Sequence, residues 1–126
     1  MIRKVLDAEE GLEKVMGDVL RTLFLFSGAL WLPELLGEYE GFVRTLGEEP
    51  VDKKVVAEAV KKLEEVGLVE VRPGIRATNV RGGEETFLIS LVRAPEVLEA
   101  LSTDSRVMRY RSEWAKYMRD AGLKPY

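Results

Sequence analysis

Between Asp52 and Arg72 the hydrophobic period of the chain switches from that of a helix to that of a strand, and this switch restricts the fold more than any other feature of the 126 residues. Val56, Ala59, Val60 and Leu63 recur at the spacing of one helical face. Val69 and Val71 then alternate with Glu70 and Arg72 at a period of two. Both ends of the helix are chemically marked. The Asp52 carboxylate stands at the N-cap, and Gly67 stands where a left-handed residue closes a helix. Leu68 falls where a Schellman turn places its apolar contact, against Leu63. The expected element is a helix over 52–66 that reverses directly into a strand.

The flanking segments supply more helix and complete a hairpin. Asp7 with Glu10 reads as a capping box opening a first helix, with Leu12, Val15, Met16, Val19, Leu20, Leu23 and Phe24 on one face and Ser27-Gly28 as its stop. Pro33 suits the first turn of a second helix over about 33–46, faced by Leu35, Tyr39, Phe42, Val43 and Leu46. Gly37 and Gly41 lie inside it, each costing ~1 kcal/mol relative to Ala, so the helix is expected either to break there or to meet a close neighbour. A β-hairpin over 68–92 follows, interrupted at Pro73-Gly74 and carrying a long, partly basic tip around Arg81-Gly82-Gly83-Glu84. Ala94-Pro95 opens a further helix that breaks between Ser102 and Ser105. Val107, Tyr110, Trp114, Tyr117 and Ala121 then form a near-heptad stripe on a last helix ended by Gly122. The fold class is α+β and mainly α: a unit over 1–93 and a C-terminal helical extension over 94–126, with no Pro/Gly/Ser-rich linker, repeat or low-complexity tract.

Missing side chains narrow the chemistry. The chain has no Cys and no His. Disulfides, Cys- or His-built zinc sites, a Cys nucleophile and a Ser/His/Asp triad each need one of them. The adjacent pairs Glu9-Glu10, Glu48-Glu49, Glu64-Glu65 and Glu84-Glu85 diverge from one another and form neither a catalytic dyad nor a hard-metal cage. No catalytic role, metal or cofactor is expected. Gln is absent and Asn occurs once, at Asn79; beside 33% charged residues, this depletion of thermolabile types is the compositional habit of thermophile proteins. The longest apolar run, Thr22 to Pro33, is too short to span a bilayer, and Asp7, Glu9 and Glu10 stand where a secretory segment is apolar. A cytoplasmic location is expected.

The formal net charge of −3 conceals a gradient. Residues 1–50 carry five basic and ten acidic groups, whereas 105–126 carry six basic against two acidic. Lys53 and Lys54 stand at a helix amino end, where a cation opposes the macrodipole and an anion such as phosphate relieves the conflict. Lys61 and Lys62 have Glu58, Glu64 and Glu65 at helical pairing distance. The helix over 52–66 holds no Arg, Asn or Gln, the side chains that most often grip base edges. Attraction to phosphate is therefore better supported than sequence readout.

The run Val55 to Glu70, VVAEAVKKLEEVGLVE, resembles the end of the recognition helix and the first wing strand of prokaryotic winged helix-turn-helix regulators, in which an A-x-x-x-L-E-x-x-G-L-V pattern is common. The element order matches over about residues 8–93. The resemblance implies a winged helix, a transcriptional regulator whose third helix enters the major groove of double-stranded DNA while the hairpin touches the adjacent backbone. Lys53, Lys54 and Lys61, with Arg76 and Arg81 from the wing over 72–85, are then the DNA contacts. A terminal helix with aromatic anchors suits a dimer arm, so Val107, Tyr110, Trp114, Tyr117 and Ala121 are the expected homodimer interface. The rival reading is a winged helix used as a protein-interaction module in a larger assembly, which the acidic first half and the third helix without base-reading side chains both favour.

Overall fold

In the computed structural model, which describes residues 1–78 and 81–123, one helix is wrapped by nearly everything else. The hairpin tip at 79–80 and the tail from 124, both part of the expected elements, lie outside the described residues. Helix α2 (Gly11–Leu25) is buried without a break from Val15 to Leu23. It packs against α1 (Ile2–Asp7), α3 (Leu32–Thr45), α4 (Lys53–Glu65), α5 (Pro95–Ser102) and α6 (Ser105–Asp120). Strands β1 (Ala29–Trp31), β2 (Val69–Arg76) and β3 (Glu84–Leu91) form an antiparallel sheet in the order β1-β3-β2. The class is α+β and mainly helical, compatible with a winged-helix layout. Val97, Ala100 and Leu101 of α5 lie in the same core as Val19, Leu20 and Leu63, so the C-terminal extension is not packed apart from the rest.

The capped helix forms as its residues require. Asp52 accepts a hydrogen bond from the Lys54 N–H at 3.2 Å, and the other end closes through Gly67 N–H to Glu64 O at 3.0 Å and Leu68 N–H to Leu63 O at 2.9 Å. These are the two bonds of a Schellman turn, with Gly67 at φ +79. Leu68 and Val69 then enter the core and begin β2.

Three expectations fail and one further strand is added, for tertiary reasons. No Asp7/Glu10 capping box opens α2: Asp7 ends the short helix α1, whose Val5 and Leu6 are buried, and Glu10 precedes α2 without a side-chain cap. Past Ser27-Gly28 the chain becomes a third strand, with Ala29, Leu30 and Trp31 opposite Ser90, Ile89 and Leu88. Pro73-Gly74 does not interrupt β2. Pro73 pairs with Phe87 and Gly74 with Thr86 on the sheet edge, where a missing backbone donor is tolerated. Gly37 and Gly41 neither break α3 nor meet a neighbour; both face solvent with open space around them, while Leu35, Tyr39, Phe42 and Val43 bury the opposite face.

A buried ionic cluster joins the two ends of the chain. Arg21, 1% exposed, donates from Nε and Nη2 to Asp104 at 2.7 and 3.0 Å, from Nη1 to Asp18 at 2.9 Å, and from Nη2 to the Leu6 carbonyl at 2.6 Å. Arg106 grips the other side of Asp18 through two bonds of 2.9 Å and reaches Glu48 at 2.8 and 2.9 Å, where Lys14 also donates at 2.6 Å. Asp104 in turn caps α6 by accepting from the Val107 N–H at 3.0 Å. Three cations meet three carboxylates, so the cluster is neutral, and among the described residues no buried side-chain polar atom lacks a partner.

Gly17 makes room for this arrangement. A Cβ there stands 2.9 Å from both Arg21 Nη1 and the Val5 carbonyl oxygen. Replacing Gly17 by Ala, a gain of about 1 kcal/mol on an open helix, is expected here to lower urea-unfolding stability by about 1–3 kcal/mol. Arg21→Met leaves Asp104 without its buried cation and is expected to cost about 3–5 kcal/mol in the same measurement.

Candidate nucleic-acid interface

The amino end of α4 is turned outward. Asp52, Lys53 and Lys54 are exposed, as are Ala57, Glu58, Lys61 and Lys62 farther along, while Val56, Ala59, Val60 and Leu63 are buried beneath them. Lys62 pairs with Glu65 at 3.6 Å. Among the described residues, Lys53, Lys54 and Lys61 have no carboxylate within ion-pair reach. At the amino end, Asp52 already accepts from the Lys54 N–H through its side chain and from the Val55 and Val56 N–H groups through its carbonyl, so what can attract an anion there is the pair of ammonium groups of Lys53 and Lys54.

The hairpin cations divide. Arg81, at the exposed turn, carries no ion pair among the described residues. Arg76 donates from Nε to Glu34 at 3.1 Å and from Nη1 to Glu84 at 3.0 Å. The hydrogen bond to Glu34, then that to Glu84, raises its already high pKa and holds its charge in place. Arg72 pairs with Glu70 at 3.0 Å. Sequence reasoning groups Arg76 with the DNA-facing cations, whereas the structure surrounds it with carboxylates.

The hairpin face beside α4 is apolar, which sequence reasoning missed. Phe87 is 47% and Ile75 63% exposed there, next to a groove of about 310 Å³ whose apolar floor includes Val60, Val71, Phe87 and Ile89 and whose α4 rim carries Lys61 and Glu64. The signal was present: the alternation Phe87, Ile89, Leu91 runs outward past the point where the core ends.

The α6 stripe splits between inside and outside. Val107 is fully buried and belongs to the chain's own core, so it does not form a dimer interface. Tyr110 is half-buried, its ring centroid 5.3 Å from that of Phe42 and 6.3 Å from that of Phe26. Trp114 and Tyr117 continue the aromatic line outward, 5.4 Å apart, at 42% and 62% exposure, and Ala121 is exposed beyond them. Arg109 anchors the root of the helix by donating to the Leu46 carbonyl at 2.8 Å. The proximal turns thus serve the monomer and the distal turns are free.

Among the described residues no helix is long and apolar enough to cross a membrane, and no group of His, Cys, Asp or Glu is arranged to hold a metal ion. Comparison of the chain with family models, curated proteins and solved structures finds no match.

Glu48 gives the root of α6 an acid dependence. Hydrogen bonds from Arg106 and, after an opposing effect of burial, from Lys14 lower its pKa from 4.5 to about 2. Because the folded value lies below the unfolded one, the stabilisation is complete above pH 4.5 and is lost as pH falls toward about 2. Thermal melts of a Glu48→Gln variant are expected to show lower stability than the unmodified chain at neutral pH and a smaller difference near pH 2; a difference independent of pH contradicts the assignment.

Proposed function

We propose that the chain is a cytoplasmic winged-helix DNA-binding protein, a transcriptional regulator that grips duplex DNA mainly through phosphate contacts. Helix α4 lies along the duplex with Lys53, Lys54 and Lys61 toward the backbone, and Arg81 reaches it from the wing. The carrying observation is that, among the described residues, Lys53 and Lys54 at the outward-facing amino end of α4, and Lys61 farther along the same helix, have no carboxylate within ion-pair reach. Affinity on this reading comes from counterion release, and it falls steeply with salt. Glu58, Glu64 and Glu65 on the same helix make phosphate attraction weaker around Lys61 than at Lys53, Lys54 and Arg81.

The distal turns of α6, with Trp114 and Tyr117, are the arm of a homodimer, which presents two copies of α4 to successive groove faces. A second reading, a winged helix that docks a protein, is favoured by one observation: the exposed Phe87 and Ile75 beside α4 offer apolar surface that phosphate does not cover.

A salt titration of binding to a short mixed-sequence duplex tests the first reading. Replacing Lys53 and Lys54 together by Ala is expected to reduce the slope of log affinity against log salt by about 2, one unit per lost phosphate contact. An unchanged affinity and slope rejects this face, and absence of binding even at low salt favours the protein-docking reading. For the arm, Trp114→Arg is expected to convert a sedimenting dimer to monomer; a dimer that persists removes α6 from that role.

A further inference from the structure

Strand β1 is three residues long and pairs with β3 only at Leu88 to Ser90. Among the described residues, no backbone ladder ties the hairpin to the helical body outward of Leu88 and its partner Arg72. Two side-chain contacts from the helical side reach it there on one face. By strand alternation Trp31, Arg72, Gly74 and Arg76 share that face, while Ile75 and Phe87 lie on the other, open toward α4. The Trp31 ring lies on Gly74, its Cη2 2.9 Å from where a Cβ would stand, an approach that any larger residue disturbs. Two positions on, Arg76 spans from β2 to Glu84 on β3 and to Glu34 in the first turn of α3. One guanidinium between two carboxylates leaves a local charge of about −1, which repels phosphate rather than attracting it.

We propose that Arg76 is a positioning residue: with Glu34, and with Trp31 seated on Gly74, it latches the distal hairpin to α3 and sets its angle to α4. Its effect on DNA rests on the DNA-binding reading above; the latch itself does not. A hairpin held in place before binding loses less freedom on contact, so releasing it weakens binding without removing a phosphate contact.

Two measurements separate these claims. Without DNA, amide hydrogen exchange between Arg72 and Arg76 and between Glu84 and Leu88 is compared for Arg76→Ala, Glu34→Ala and the double variant. Each single change is expected to speed exchange about two- to fivefold, the worth of a partly exposed ion pair. The double variant is expected to match Arg76→Ala alone, with exchange in α2 unchanged. Unchanged exchange in the single variants, effects that multiply in the double, or a rise in α2 instead overturns the latch. With the duplex, Arg76→Ala is expected to weaken binding about two- to fivefold while leaving the salt slope intact. A slope reduced by about 1 makes Arg76 a phosphate contact and overturns the assignment. If the unmodified protein does not bind duplex at all, the DNA-binding reading fails and the exchange measurement decides the latch by itself.

Discussion

The buried Arg21 guanidinium holds together segments that the chain order separates. It joins the end of α1 through the Leu6 carbonyl, the middle of α2 through Asp18, and the start of α6 through Asp104. A cation taken from water in this way is tolerated only when its donors are matched and its charge is balanced. Both conditions are met here: Asp104 receives two bonds from Arg21, and Arg106 takes the Asp18 Oδ2 that Arg21 leaves open while sharing Oδ1 with it. The cluster forms only when α1, α2 and the root of α6 are all in place, which makes the assembly of the helical body cooperative. Without the root of α6, Arg21 loses both bonds to Asp104 and Asp18 loses both bonds from Arg106.

The same cluster changes the meaning of the charge gradient. The six basic residues of 105–126 suggest a basic tail, yet Arg106 is consumed by Asp18 and Glu48, and Arg109 by the Leu46 carbonyl. Arg111 rests over the Phe24 ring. Of these three cations, Arg106 answers carboxylates of the acidic first half, while Arg109 and Arg111 are held by neutral groups. The cations of α4 and the hairpin turn carry the functional reading because they lie together on the outward face of a helix and the adjoining hairpin. The hairpin contributes through its geometry as much as its charge, since Arg76 is spent on α3 and β3.

Local chemistry was legible in the sequence; long-range chemistry was not. Asp52 and Gly67 act on backbone groups two to four residues away, so a single sequence was enough to place both ends of α4. The hydrophobic stripes of α2 and α3 were likewise readable, because each is set by the helix's own period. Arg21 and Asp18, by contrast, look like the solvated side of an amphipathic helix until residues more than 80 positions away arrive to bury them. Asp7 and Glu10 satisfied a local pattern that the burial of Val5 and Leu6 overrode. Arg76 read as a free wing cation because Glu34 is 42 residues distant, and Val107 read as an interface residue because the heptad stripe does not reveal where the body of the protein stops covering it. The candidate site was therefore visible in its α4 half and misassigned in part of its hairpin half.

The most direct measurement is a low-salt titration of the isotope-labelled protein with a short duplex, followed by amide chemical shifts residue by residue. The expected result is a contiguous set of perturbed amides from Lys53 to Lys61 and around Arg81 to Gly83, with the interior of α2 and the distal turns of α6 undisturbed. Perturbations centred on α6, or confined to Phe87 and Ile75 and absent from the amino end of α4, contradict a phosphate-gripping helix.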